Sequence, residues 1–311
     1  MLGSVDSSIE PPGPRIWAIG GGKGGVGKSV ISTGIAMTLA RQGQRCIMVD
    51  ADLGGANLHT FLGMSHPKGS LSDLFLKKVT DLEEILQPSS FDNLSLISGA
   101  RAMLDMANLN YLQKLKMIRQ IFSLKADHIF IDLGAGSSYN VLDFFIAAHD
   151  GLMVVMPTPT SIENAYHFLR AVYFRKLRKV VRDLKAEQLV DTALSDKVKS
   201  GVRSPRELML DLLCRDNVVG KKINQTMKNF SPQLIINQAQ LIEGRELGRD
   251  IVLACREFFG IDVTLSGIVR TDDRVLTSLK AQRPVLDMFP NCFFAEDIRS
   301  IVQQSTYEQK A

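Results

Sequence analysis

The run Gly20-Gly21-Gly22-Lys23-Gly24-Gly25-Val26-Gly27-Lys28-Ser29 constrains this chain more than any other stretch. It stands between a short apolar run, Ile16-Trp17-Ala18-Ile19, and the segment Val30 to Ala40, which reads as a helix. Strand, glycine loop, helix is the setting that a phosphate-binding loop requires. Glycines have no Cβ, so successive backbone N–H groups can converge on one anion, and the helix that follows adds its positive end. Gly22, Gly24, Gly25, Val26, Gly27 and Val30 form that cradle. Lys28 supplies a point charge for the β- and γ-phosphates, and Ser29 a hydroxyl for Mg2+.

The chain beyond the loop alternates apolar runs with helical patterns. Cys46-Ile47-Met48-Val49, Leu94-Ser95-Leu96-Ile97, His128-Ile129-Phe130-Ile131 and Leu152-Met153-Val154-Val155 are short and almost wholly apolar. Runs of this kind suit parallel strands buried on both faces. Helical periodicity fills the gaps, as in Tyr111 to Leu124 and Val141 to Ala148. The expected fold class is therefore α/β: a doubly wound, mostly parallel sheet flanked by helices, with functional loops at the C-terminal ends of its strands.

Two acidic positions fall at such ends. The second strand runs out at Asp50-Ala51-Asp52, where two carboxylates can face a metal-bound triphosphate. The strand at His128 ends at Asp132 and is followed by Leu133-Gly134-Ala135-Gly136. An apolar strand ending in Asp is the Walker B pattern, whose carboxylate contacts Mg2+ through its water shell. Later, Met156-Pro157-Thr158-Pro159-Thr160-Ser161 bends the chain into another helix with Ser161 as the expected N-cap.

An ordinary phosphate loop does not need Lys23. Lys23-Gly24-Gly25-Val26-Gly27-Lys28-Ser29 resembles the deviant Walker A motif of the ParA/MinD family of P-loop ATPases, and the box from Asp50 to Leu58 and the turn after Asp132 follow in that family's order. The resemblance, which spans most of the chain outside residues 175–230, implies ATP and Mg2+ as ligands and a homodimer when ATP is bound. Lys23 would reach across that dimer to the partner's nucleotide. Asp50 would hold Mg2+ through water, with Ser29 and Asp132, and Asp52 would orient the attacking water. Asn57 would lie in the dimer contact, and Asn237, at the end of Leu234-Ile235-Ile236-Asn237-Gln238, would read the adenine edge. The turn after Asp132 lacks the proline that MinD-like proteins often carry there. The lack of cluster cysteines after Asp132 and of a C-terminal tyrosine cluster argues against the branches that carry them, and the chain most resembles the MinD/FlhG (FleN) branch. The implied function is an ATP-dependent dimerisation switch, slow to hydrolyse without a protein partner, that regulates flagellar or division-site placement. A DNA-binding ParA-type partition ATPase and a non-hydrolysing nucleotide-bound scaffold stay open as alternatives.

Residues 1–14, rich in Ser, Pro and Gly, read as a disordered tail, and residues 15–311 as one ATPase domain. No apolar run approaches the length needed to cross a bilayer, so a cytoplasmic location is expected, with transient membrane association open. Cys46, Cys214, Cys255 and Cys292 form no Cys-x-x-Cys pair and read as buried thiols. From about Arg175 to Phe230 the chain carries 14 Lys or Arg against 7 Asp or Glu, although the whole protein is only +4. Apolar spacing there and the helix start Ser204-Pro205-Arg206-Glu207 predict a basic helical insertion. That surface leaves open weak membrane or DNA contact. The segment Phe293 to Val302 reads as an amphipathic helix packed on the protein's own core, since Glu296 and Asp297 oppose anionic lipid.

Overall fold

A computed structural model describes residues 13–52, 55–65, 67–99, 111–195 and 204–307. Most of the expected tail, Leu53 and Gly54 of the second acidic box, and Lys197, Lys199 and Arg203 of the basic segment lie outside these residues.

Eight strands form one sheet: β1 (Arg15–Gly20), β2 (Cys46–Asp50), β3 (Gln87–Pro88), β4 (Leu94–Ile97), β5 (His128–Asp132), β6 (Asp150–Val155), β7 (Gln233–Ala239) and β8 (Thr264–Arg270). Their order is β3-β4-β2-β5-β1-β6-β7-β8, and every pairing is parallel except β3 with β4. The doubly wound expectation therefore holds, with the glycine loop leaving the central strand. β3 is an addition that the apolar pattern does not reveal.

Side chains alternate between the two faces, as strand geometry dictates. Ile16, Ala18, Val49, Ile129, Ile131 and Val155 feed one core layer, and Trp17, Ile19, Met48, Phe130 and Val154 feed the other. The second layer is closed by α1 (Lys28–Arg41) and by the C-terminal helix. Three short segments follow β2: α2 (Leu58–Phe61), α3 (Leu71–Phe75) and a 3-10 turn at Leu82–Ile85. The first layer is covered by α4 (Tyr111–Ser123), α5 (Tyr139–Ala147) and α6 (Pro159–Asp183).

The basic segment does not begin as a separate unit. α6 runs unbroken through Arg175, and only then come α7 (Glu187–Ser195), α8 (Pro205–Arg215) and α9 (Asn217–Lys228). Leu208, Leu212, Ile223 and Met227 join the first core layer. At the start of α8 the Ser204 hydroxyl accepts from the Glu207 N–H while the Glu207 carboxylate accepts from the Ser204 N–H, the capping box that the sequence predicts. Two of the segment's cations are not simply solvated. Arg175 pairs with Asp143 at 2.8 Å and lies over the Tyr139 ring, and Lys176 lies over Phe230.

The rest of the chain is α10 (Leu241–Phe259), α11 (Asp273–Lys280), α12 (Val285–Met288) and α13 (Phe293–Tyr307). α13 buries Phe294, Ala295, Ile298, Ile301 and Val302 in the second layer, as expected of a core-packed helix. Two expectations need correction. Thr158, not Ser161, is the residue before α6; Ser161 is buried, and its hydroxyl accepts from the Met156 N–H at 3.0 Å. The proline at position 159 starts the helix three residues earlier than an N-cap at Ser161 would. Cys214 is exposed, whereas Cys46, Cys255 and Cys292 are buried thiols.

Candidate functional site

The glycine loop joins the end of β1 to the start of α1, with Lys28 as the first helical residue. Gly27 has φ of +95°, which L side chains avoid, and a Cβ there would collide with the Asn237 amide. A Cβ on Gly22 would collide with the Asn164 carbonyl oxygen of α6. The loop is thus wedged between α6 and the end of β7. Lys28 is buried and turned inward, with Nζ 3.4 Å from the Lys23 carbonyl oxygen. Burial pulls its ammonium below the ordinary lysine range, while Asp132 and Asp52 oppose that shift.

The carboxylates come from neighbouring strands. Asp50 and Asp132 are register partners across β2 and β5, and both are buried. Burial pushes Asp132 up to about 7, against a hydrogen bond from Ser29, with Asp50 adding like-charge repulsion. Burial likewise pushes Asp50 up to about 6, although it accepts from the Leu58 N–H at 2.9 Å and the Asp52 N–H at 3.2 Å. Asp132 Oδ1 is buried without a hydrogen-bond partner. Asp52 accepts from the Gly55 N–H at 3.1 Å and lies against Gly134, where a Cβ would sit 3.0 Å from its Oδ1.

The loop, Asp52 and Asp132 open on one cavity of about 520 Å³ at the C-terminal ends of the strands, while Asp50 lies buried behind its lining. Gly24, Gly25, Gly27, Lys28, Ser29, Val30, Asp52, Asn57, Asp132 and Asn237 all line it, so the structure brings most of the sequence-predicted residues together. Asn57 precedes α2 without a side-chain cap bond. Asn237 donates its amide to the Val26 carbonyl oxygen at 2.7 Å, bracing the loop from below.

The cavity's other end holds Gln238 and the stretch from Arg270 to Asp273. Gln238 has φ of 56° and sits in the register shift between β7 and β8. Arg270 is held by Asp297 and Glu296 at 2.8 and 2.9 Å and lies over the Phe293 ring. The shift at Gln238 forms only where β7 meets β8, and the clamp on Arg270 only where β8 meets α13. Gly22 and Val26 of the loop do not line the cavity, and neither does Lys23. The Lys23 Nζ donates to the Thr160 hydroxyl at 2.9 Å on the exposed side of the loop.

A Mg2+ ion fits this donor set. A buried, unpartnered carboxylate oxygen and two carboxyls destabilised as anions call for a cation beside the Ser29 hydroxyl. Among the described residues no three His, Cys, Asp or Glu side chains close on one metal position.

A family model described as ParA: NUBPL iron-transfer P-loop NTPase matches residues 14–180. The antiactivator FleN of Pseudomonas aeruginosa is 25% identical over 292 residues, covering 93% of this chain and 85% of that protein. The flagellum site-determining protein YlxH of Helicobacter pylori is 34% identical over 160 residues, which are 48% of this chain and 50% of that protein. In fold, the septum site-determining protein MinD of Pyrococcus horikoshii, solved with Mg-ADP, aligns with a TM-score of 0.63 at 18% identity, over 94% of this chain and 96% of that one. The match covers the glycine loop, both acidic strand ends and the start of α6, and the chain belongs to the ParA family of P-loop NTPases.

Proposed function

We propose that this protein binds ATP with Mg2+, dimerises around it, and hydrolyses it slowly, as a MinD/ParA-type switch. The observation that carries this reading is the division between the two loop lysines. Lys28 is buried and lines the cavity, whereas Lys23 is held on the outer side of the loop by Thr160. A cation in that position faces away from its own phosphates and toward those of a second copy, which would take it from Thr160. Lys28 takes the β- and γ-phosphates, and the loop amides from Gly22 to Ser29 take the remaining oxygens. Ser29, Asp50 and Asp132 hold Mg2+, which neutralises phosphate charge when bound. Asp52 orients the attacking water, a positioning role that matters because phosphoryl transfer has a loose transition state. Asn237 sits beside the loop at the base end, and Asn57 near the edge that a partner copy covers.

Similarity to the flagellum site-determining protein YlxH supports a role in flagellar placement, and similarity to septum site-determining MinD proteins a role in division-site placement. A protein partner that triggers hydrolysis belongs to either role. No helix among the described residues is long and apolar enough to cross a membrane.

The test is Asp52→Ala. It should bind ATP within about threefold of wild type yet release phosphate at least tenfold more slowly; unchanged turnover overturns the role of Asp52. A second reading, ATP-dependent DNA contact, draws on Arg178, Lys179 and Arg182, which lie exposed on α6, with Lys185 just beyond. It predicts binding that falls steeply with salt and is lost when these four are neutralised; no DNA binding at low salt removes it.

A further inference from the structure

A second cavity, of about 500 Å³, shares no lining residue with the nucleotide cavity. It opens where α8 and α9 meet the end of α10 and the Ile261-Asp262 lead into β8, on the side of the sheet where the strands begin. The floor is apolar: Met209, Met227 and Phe259 are buried, and Leu210 stands 54% exposed beside them. The rim is cationic. Arg206 and Lys228 are exposed and make no ion pair with a described residue, and Arg256 is balanced by Asp262 at 2.8 Å.

We infer that this groove docks an acidic amphipathic helix of a partner protein. An apolar floor with a charged rim is the complement of such a helix, whose apolar side chains enter the groove while its carboxylates meet the rim. Met209 and Met227 make the floor adaptable, since unbranched thioethers repack around different side chains. Charge complementarity sets the sign: the groove borders the segment with 14 cations against 7 anions, and its own unpaired rim charges are positive. Its concave shape separates it from a bilayer contact, which needs apolar groups that protrude. Its apolar floor separates it from a nucleic-acid contact, which would leave that floor wet. The groove opens at the strands' N-terminal ends and the nucleotide cavity at their C-terminal ends, so two copies meeting across their glycine loops leave it uncovered. The inference stands apart from the nucleotide reading and would survive its failure.

The probe is a fluorescein-labelled synthetic 18-residue helix with leucines on one face and glutamates on the other, titrated into the full chain and followed by anisotropy. Controls are the same peptide with lysine for glutamate, phosphatidylglycerol vesicles and duplex DNA. Saturable binding of the acidic peptide is expected, weakened at least tenfold both by Leu210→Asp and by the pair Arg206→Glu and Lys228→Glu. All these positions are exposed, so the fold is kept; an unchanged circular dichroism spectrum checks it, independently of any nucleotide. Three results would overturn the inference: no saturable binding of the acidic peptide, binding unchanged in either variant, or variants that abolish vesicle or DNA binding while sparing the peptide.

Discussion

At the scale of single residues, the site stores unfavourable charge. Asp132 and Asp50 sit at about 7 and 6 because burial penalises their ionised forms. A carboxyl whose folded pKa exceeds its unfolded value binds its proton more tightly in the native state. Its contribution to stability is present at low pH and is lost as pH rises from about 3.9 through the folded value. Asp132→Asn removes that titration. In ligand-free protein, its stability relative to wild type should rise by on the order of 1–3 kcal/mol between pH 5 and pH 8, read by chemical denaturation. Comparing the variant with wild type cancels the opposite trend of His128, whose buried imidazole is held below its ordinary range. With Mg-ATP present at pH 8 the order should reverse, since only wild type gains a cation's attraction for the carboxylate. Asn237 makes a second residue-scale case. Its amide donates to Val26, 211 positions away. Asn237→Asp would set a carboxylate oxygen against that carbonyl, and affinity for a fluorescent ATP analogue should fall at least tenfold without loss of fold. The acids and Lys28 were legible because their roles are local to a strand end or a loop. The bracing contact of Asn237 and the clamp on Arg270 were not, because they form only when distant strands meet.

At the scale of elements, legibility followed burial. Parallel strands covered on both faces read as apolar runs, so β1, β2, β4, β5 and β6 stand out, whereas β3, two residues at an edge, carries no pattern. The continuity of α6 was hidden by its composition. Cations dominate its second half, yet Val172, Tyr173, Leu177 and Val180 keep one face buried throughout. That helix touches the loop at Gly22 and reaches the inserted helices at its other end, so the insertion is anchored to the core rather than appended to it. The capping box at α8 was readable because Ser-Pro-x-Glu specifies it within four residues. Ser204→Ala removes one half of that reciprocal pair and should cost about 1 kcal/mol. The loss should appear as faster amide hydrogen exchange in α8, with the sheet unchanged; equal exchange in α8 would contradict the capping role.

At the scale of the whole molecule, one sheet separates two surfaces of different kind. The strands' C-terminal ends carry the loop, the carboxylates and the outward lysine; the opposite ends carry the cationic groove. α13 ties the fold together, with Phe294 packed against Gly34 of α1 and Asp297 accepting the Arg270 backbone N–H at 2.8 Å. Phe294→Ala should therefore destabilise the protein by about 3–5 kcal/mol in a denaturant titration, a cost that a detachable membrane-binding helix would not show. The central claim is that ATP joins two copies through Lys23. Light scattering after gel filtration, with Mg2+ and ATP on the slowly hydrolysing Asp52→Ala background, tests it most directly. A species of about twice the 34.4 kDa chain mass is expected, returning to the monomer mass when Lys23→Ala is added although ATP still binds. A protein that stays monomeric when saturated with ATP, or that dimerises equally well without the Lys23 side chain, would contradict it.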